Sequence, residues 1–295
     1  MLVDLSTRGG ARGLSATSAG VCTDLQAAHP VARKRAAHHG SVTTARSFTP
    51  VSAPLSTVPQ ATALFWVIKL LTTGVGETCS DWLARSFDPV IVVAATTVVF
   101  AVVLIAQILT PGFRPWRYWL VVTLVGVEGT MVADVAHIGL GIPYSVSTAV
   151  LALALAGVFV VWFAVERTLS IHSITTRRRA LFYWATVCAT FALGTAAGDF
   201  TASALDLGYA VSAVLFAAVM VLAAVLYATR RMPAVPAFWI AYVATRPLGA
   251  SIADGLAVDP ARGGLGLGTL PVSIVGLVAI AALVIVATVR HERAA

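Results

Sequence analysis

One pattern recurs four times along the 295-residue chain and constrains its fold more than any other feature. Each copy opens with an aromatic residue followed by Trp. Gly stands ten residues after that Trp, a small residue fourteen after it and Asp fifteen after it. The signature residues are Trp66, Gly76 and Asp81; Trp119, Gly129 and Asp134; Trp184, Gly194 and Asp199; Trp239, Gly249 and Asp254. Agreement over this many positions indicates a tandem repeat of four units.

The repeats lie in a chain too apolar for a soluble protein. Hydrophobic residues make up 58% and charged residues only 11%, whereas a soluble domain carries about 25% charged residues. From residue 61 onward, apolar segments of the length that crosses a bilayer follow one another. The eight predicted spans are 61–83, 90–110, 117–138, 145–165, 180–203, 208–228, 237–257 and 269–289. This composition excludes an ordinary water-soluble enzyme.

We therefore predict an all-α, polytopic membrane protein of eight transmembrane helices, arranged as four parallel helical-hairpin repeats. Each unit holds two spans, so all four units point the same way through the membrane. The predicted units are 61–112, 113–170, 178–231 and 234–290, which together form one membrane domain over 61–290. Residues 1–60 are predicted to be a disordered basic cytoplasmic tail. A transit peptide, or a leader that is not translated, is the alternative for this segment.

The basic residues predict the orientation. Sixteen of the twenty Lys and Arg residues lie in the tail, in the loops that follow even-numbered spans, or after span eight. Basic residues concentrate on the cytoplasmic side of membranes, so both termini are predicted to be cytoplasmic. The net charge of +7 then reflects topology. A nucleic-acid partner is not expected, because no folded basic patch or base-stacking motif accompanies the charge.

Four tandem two-span repeats, each with a signature Trp, resemble a family of bacterial uncharacterised membrane-anchored proteins whose repeat has no known function. The resemblance covers about residues 61–290. It implies the eight-span architecture and a location in the bacterial plasma (inner) membrane. It implies no particular chemistry, and no cofactor is expected.

The odd-numbered spans carry the candidate functional residues. At 100° per residue, the signature Trp, Gly, small residue and Asp share one broad helix face, which we expect to look into the bundle. In the first span, Lys69, Thr73, Glu77 and Asp81 follow one another at intervals of four and form a polar stripe. Arg246 stands in the fourth repeat where Thr73 stands in the first.

Charge balance is the main functional clue. Six acidic residues lie within the odd-numbered spans, where Lys69 and Arg246 are the basic residues available as counter-charges. The excess carboxylates must be satisfied by water, protons or a bound cation. The predicted substrate- or ion-binding set is Glu77, Asp81, Asp134, Asp199, Asp254, Thr73, Lys69 and Arg246, and the four Asp residues are the candidate metal ligands. The alternative is that these Asp residues are structural, and the four Trp residues are interpreted as anchors at the membrane interface.

Three functions follow from this balance. The first is a small-solute or cation transporter in the lipid bilayer, and oxygen-rich ligation suits Mg²⁺, Mn²⁺, Ca²⁺ or protons. The alternative is a non-transporting membrane scaffold or partner-binding protein. An intramembrane aspartyl protease is less favoured, because four equivalent Asp residues are not the asymmetric pair that such chemistry uses; we predict no enzymatic activity. The substrate and the oligomeric state are left open.

Overall fold

A computed structural model describes residues 57–110 and 112–294, so all but the last residues of the predicted tail lie outside it. The described residues form α-helices and short helical turns, with no strand among them. The helices are α1 Ala63–Ser86, α2 Pro89–Leu109, α3 Pro115–Asp134, α4 Tyr144–Glu166, α5 Arg177–Asp199, α6 Gly208–Ala228, α7 Ala234–Ala257 and α8 Thr269–Ala294. The predicted all-α class and its eight helices are confirmed.

Side chains at the first turns explain where several helices begin. The Thr62 hydroxyl accepts a hydrogen bond from the Phe65 amide at 3.3 Å. Asp88 accepts from the amide of Val90 at 3.0 Å, just after Pro89 opens α2. Such oxygens satisfy amides that have no partner inside the helix. Short connections can therefore reverse the chain between helices.

Two of the odd-numbered helices, α3 and α5, change geometry after their signature Asp residues. After Asp134, α3 passes into a π-helical turn over Val135–Gly139, and after Asp199, α5 passes into one over Phe200–Ala204. In contrast, α1 and α7 remain α-helical beyond their signature Asp residues. Turns of this kind inside longer helices are frequent at functional sites. The four repeats are therefore not identical at this end.

Six of the eight helices in the described residues are long and apolar enough to cross a membrane. They are α2, α4, α6 and α8, together with α3 and α5 and their π-helical turns. The charged side chains of Lys69, Glu77 and Asp81 lower the hydropathy of α1, and those of Arg246 and Asp254 lower that of α7. The fold is therefore membrane-like. The two helices without a clear apolar span, α1 and α7, both carry candidate functional residues.

The odd-numbered helices form a closed inner ring. Contacts run from α1 to α3, from α3 to α5, from α5 to α7 and from α7 back to α1. Within their apolar stretches, 61% of the residues of α3 and α5 are buried, against 6–11% in the even-numbered helices. The outer helices expose large apolar side chains, including Val98, Val160, Val214 and Val278. Such a surface suits contact with lipid rather than water.

Each outer helix packs mainly against the inner helix of the following repeat. The principal contacts are α2 with α3, α4 with α5, α6 with α7, and α8 with α1. Polar pairs join these helices: the Thr97 hydroxyl of α2 donates to Glu128 of α3 at 2.6 Å, and the Ser273 hydroxyl of α8 donates to Thr78 of α1 at 2.8 Å. The sequence predicted that the two helices of each repeat pack together as a hairpin, but each outer helix packs mainly on the next repeat, so the repeats interlock. Hydropathy identifies the two helices of a repeat and does not identify their packing partners.

The inner helices run in the same direction. Their signature Trp residues meet at one end of the ring, here called the Trp end. The signature Asp residues lie toward the other end, here called the Asp end, where the carboxylates of Asp199 and Asp254 approach one another. The parallel arrangement places equivalent positions of the four repeats side by side around one axis.

Candidate functional site

The signature glycines lie at the four crossings of the inner ring. A Cβ atom added to Gly76 would lie 2.6 Å from a backbone carbon of Gly126, too close for two carbon atoms. The remaining close approaches are Gly129 to Phe191, Gly194 to Arg246, and Gly249 to Thr73. Small residues let helix backbones approach closely in membranes. The repeated Gly therefore sets the diameter of the ring.

The signature aromatic residues close the Trp end. Each pair contacts the next repeat, with ring centroids of Phe65 and Trp119 at 5.4 Å and of Tyr118 and Trp184 at 5.6 Å. The four Trp side chains are only 2–8% exposed. The interpretation of these rings as membrane-interface anchors is wrong, because such anchors face lipid while these rings fill the interior of the ring. They belong to its hydrophobic core.

Arg246 lies at the centre of the ring and bonds to all three neighbouring inner helices. Its guanidinium is fully buried, and Nη1 donates to the carbonyl of Thr73 at 2.9 Å. Nη2 lies 2.8 Å from Glu77 Oε2 and 2.7 Å from Thr195 Oγ1, and it also contacts Thr130 Oγ1. The buried charge is thus paired and hydrogen-bonded, as a low-dielectric site requires. Arg246 closes the axis at this level.

Lys69 lies one helical turn nearer the Trp end and is also fully buried. Its ammonium is 4.2 Å from the ring centroids of both Phe191 and Tyr242, a distance typical of cation–π contacts. In the part of the chain that the structure describes, Nζ has no hydrogen-bond partner and no carboxylate beside it. The expected pairing of Lys69 with an acid is wrong, because Glu77 lies two turns away, about 12 Å along the helix.

Three carboxylates from three inner helices converge toward the Asp end. Oxygen atoms of Glu77 on α1, Asp199 on α5 and Asp254 on α7 all lie within 4.8 Å of one another. Glu77 and Asp254 are buried, at 4% and 8% exposure, and Asp199 is partly buried. This group is called the carboxylate triad below. One of its members, Glu77, is also the partner of Arg246.

The other two signature Asp residues lie outside the triad. Asp81 pairs with Arg85 one turn later on α1 at 2.7 Å, where the Arg85 side chain is 53% exposed. Asp134 on α3 is partly buried and lies within electrostatic range of Glu77 and Asp81. Thr73, a predicted ligand, uses its hydroxyl to donate to the carbonyl of Leu70 at 2.6 Å. The structure thus brings two of the four signature Asp residues together with Glu77.

Several residues of the site were absent from the predicted set. Thr130 and Thr195 bond to Arg246, and Phe191 and Tyr242 flank Lys69. The sequence could have identified them. They occupy, in the other odd-numbered spans, the repeat positions that form the polar stripe of the first span. Thr130 and Thr195 stand where Glu77 does, Phe191 where Thr73 does, and Tyr242 where Lys69 does. Every fourth residue of each inner helix therefore lines the axis.

The arrangement suits a hard cation at the Asp end. Carboxylate oxygens are the ligands that Mg²⁺, Mn²⁺ and Ca²⁺ prefer, and residues that could hold one are Glu77, Asp199 and Asp254. Beyond the triad the axis presents two buried basic side chains, Arg246 and Lys69, and then a plug of aromatic rings. A cation entering from the Asp end meets attraction first and electrostatic repulsion next.

Comparison with known proteins gives a family and no function. The family model described as "Repeat of Unknown Function (DUF347)" matches residues 64–112, 117–168, 182–232 and 237–293. These four matches confirm the predicted resemblance to a four-repeat family without an assigned role. Neither a curated protein nor a solved structure matches the chain.

Proposed function

The chain belongs to the DUF347 repeat family, and we propose that it is an eight-span integral membrane protein that carries a hard cation across the bilayer. The convergence of three carboxylates from three inner helices within 4.8 Å carries this proposal. The same site would serve protons, which can occupy carboxylates one at a time. We assign the protein no enzymatic reaction.

All eight helices cross the membrane in this proposal, including α1 and α7. A charged residue at the bilayer centre costs about 2.5–3.5 kcal/mol on insertion scales when it faces lipid. Lys69, Glu77 and Arg246 are instead buried inside the ring. The outer helices α6 and α8 pack against α7 and α1 and supply apolar surface to the lipid. The charges of α1 and α7 are therefore compatible with spanning.

The Trp end faces the cytoplasm in this proposal. Basic residues flank the helices at that end, among them Arg114, Arg167 and Arg230, whereas Arg85 and Arg262 lie at the opposite end. Such asymmetry places the basic loops inside. By the resemblance noted above, the membrane is the bacterial inner membrane. The carboxylate triad then lies toward the outer face of the membrane.

Single-cysteine labelling tests this topology. In a variant whose three native Cys residues are replaced by Ala, we expect Ser86→Cys to react with an impermeant maleimide on intact cells. Arg230→Cys should react only after the membrane is opened. Ser86 is the last residue of α1, so its labelling from outside places the Asp end of the inner ring on the outer face of the membrane. Labelling of both positions from the outside would contradict eight spans with cytoplasmic termini.

The Arg246–Glu77 pair explains how binding could be coupled to movement. Glu77 belongs both to the triad and to the hydrogen-bond network of Arg246. A cation that takes Glu77 as a ligand competes with the guanidinium for the same oxygens. Loss of that bond weakens the contact that closes the axis between α7 and α1. We therefore propose a gated carrier rather than an open channel.

Loss of cation binding in a double variant tests the site assignment. We expect Asp199→Asn combined with Asp254→Asn to abolish Mn²⁺ binding to the purified protein and Mn²⁺ uptake into proteoliposomes, because two of the three triad carboxylates lose their charge. Both activities would be followed with radioactive Mn²⁺. The matched control is Asp206→Asn, which removes an exposed carboxylate outside the ring.

The outcomes separate the two leading functions. Unchanged Mn²⁺ binding and uptake in the double variant would contradict the site. Absence of both activities from the unmodified protein, with proton flux also absent, would contradict cation transport. A scaffold function would then be favoured, and one observation already supports it as the second candidate. Arg246 ties all four inner helices together, as a static structural bundle would require.

A further inference from the structure

The Trp end is covered by two segments that are distant in sequence. Residues 57–60 precede α1, and residues 168–176 lie in the connection between α4 and α5; together these two segments are called the cap. The backbone amide of Thr57 donates to the carbonyl of Ile174 at 3.0 Å, and the Thr57 hydroxyl lies 3.2 Å from the same oxygen. These contacts join the two segments into one element.

The inner face of the cap is part of the hydrophobic core. Val58, Ile171 and Ile174 are 7%, 5% and 0% exposed, and they cluster with the signature aromatic residues. A connecting segment that buries three apolar side chains is held against the end of the ring rather than extended into water. The cap therefore seals the Trp end beneath the aromatic rings.

Polar contacts fix the edge of the cap. The indole Nε1 of Trp239 donates to the carbonyl of Leu169 at 2.9 Å. Arg179 donates through Nη1 to the carbonyl of Ser173 at 2.8 Å and through Nε to Glu166 at 2.7 Å. Glu166 also pairs with Arg178, whose side chain is 67% exposed. Water can compete for contacts on this edge more readily than for those inside the ring.

The cap breaks the symmetry of the repeats. The connection between α4 and α5 spans ten residues, 167–176, whereas those between α2 and α3 and between α6 and α7 span five each, 110–114 and 229–233. Five residues suffice to join an outer helix to the next inner helix at this end. The additional length in one repeat is what allows the chain to fold beneath the ring.

We propose that the cap is the gate of the Trp end, and that its two segments separate, so that the aromatic rings they cover can shift and a cation can leave the axis on that side. This inference rests on the proposed transport function. The inner helices meet backbone to backbone at their glycine crossings and leave little freedom there. Among the described residues, the cap is held by side-chain packing and by hydrogen bonds at its edge rather than by backbone-to-backbone helix crossings, so it can move without separating the inner helices.

Cross-linking tests whether the gate must open. In a background with Cys22, Cys79 and Cys188 replaced by Ala, Thr57→Cys and Thr175→Cys would be joined by a short bifunctional maleimide. We expect Mn²⁺ uptake to fall by at least about tenfold, while Mn²⁺ binding at the Asp end is unchanged. The matched control is Thr57→Cys alone with the same reagent. High cross-linking yield with unchanged uptake would overturn the proposal.

A second measurement does not depend on transport. Val122 is fully buried on α3, at the position that Lys69 occupies in α1. We expect Val122→Cys to react with an impermeant maleimide from the cap side. Its rate should rise roughly tenfold on adding Glu166→Gln, which weakens a charge-assisted hydrogen-bonded pair. Cross-linking the cap should abolish the reaction.

The two experiments fail in distinguishable ways. If Val122→Cys is labelled and the cross-link blocks this labelling, a movable cap is supported even when no variant shows Mn²⁺ flux. That result would contradict the transport function alone. Absence of labelling both with and without Glu166→Gln would contradict the cap as a gate, whatever the flux.

Discussion

Replacing Arg246 by Met is expected to lower the free energy of unfolding by about 3–5 kcal/mol, the usual effect of removing one partner from a buried ion pair. The substitution leaves the Glu77 carboxylate buried at 4% exposure without its cation. It also deprives the hydroxyls of Thr130 and Thr195 of their donor. Thr130 and Thr195 keep their hydrogen bonds to Gly126 and Phe191, so the unpaired charge of Glu77 dominates the cost.

A double-mutant cycle identifies the cause. Thermal unfolding in detergent would be compared for Arg246→Met, Glu77→Gln and the combined variant. If the cost comes from an unpaired charge, the combined variant should recover much of the stability that Arg246→Met loses. The matched control is Arg85→Met, which removes an exposed ion pair worth about 0–1 kcal/mol. Equal effects of Arg246→Met and Arg85→Met would show that the central pair does not hold the ring.

Gly76→Ala is the second substitution with a large expected effect. The added Cβ would lie 2.6 Å and 2.7 Å from backbone carbons of Gly126 on α3, and backbone atoms cannot turn aside as a side chain can. Overpacking of this kind costs about 1–3 kcal/mol, and more where helices must separate. We expect a lower unfolding temperature and weaker Mn²⁺ binding, because α1 carries Glu77 one residue later.

Two other glycines serve as matched controls. A Cβ at Gly198 would lie 3.6 Å from Pro247, an ordinary contact, and a Cβ at Gly157 would meet no atom within 4 Å. Ala is favoured over Gly in a helix by about 1 kcal/mol. Gly198→Ala and Gly157→Ala should therefore leave stability unchanged or raise it. Destabilisation by either control as large as that by Gly76→Ala would mean that helix crossing is not the cause.

The sequence predicted the helices well because each depends on a local pattern. Span 208–228 coincides with α6, and the other predicted ends differ from the observed helices by a few residues. The packing of α2 on α3, or of α8 on α1, depends on contacts between different repeats. An apolar helix face matches many partners equally, so hydropathy alone could not choose among them.

The candidate site was predicted in part for a related reason. Helix periodicity indicated that Glu77 and Arg246 share the inward face of their helices, and they meet in the ring. It could not place Lys69 between Phe191 and Tyr242, since both partners come from other repeats. The burial of Trp66 was missed because a Trp near a helix end is equally typical of a lipid interface. Distances across the axis, not along the helices, decide these roles.

The closure of the ring by α8 on α1 has a consequence for how the protein is made. Helix α1 leaves the ribosome first, yet Arg246, the partner of Glu77, follows 169 residues later and α8 later still. Until then, α1 remains in the bilayer or the insertion machinery with its Glu77 carboxylate unpaired. Assembly is therefore completed between the first and last parts of the polypeptide, and a chain truncated before its fourth repeat would leave α1 packed on α3 without its other two main partners, α7 and α8.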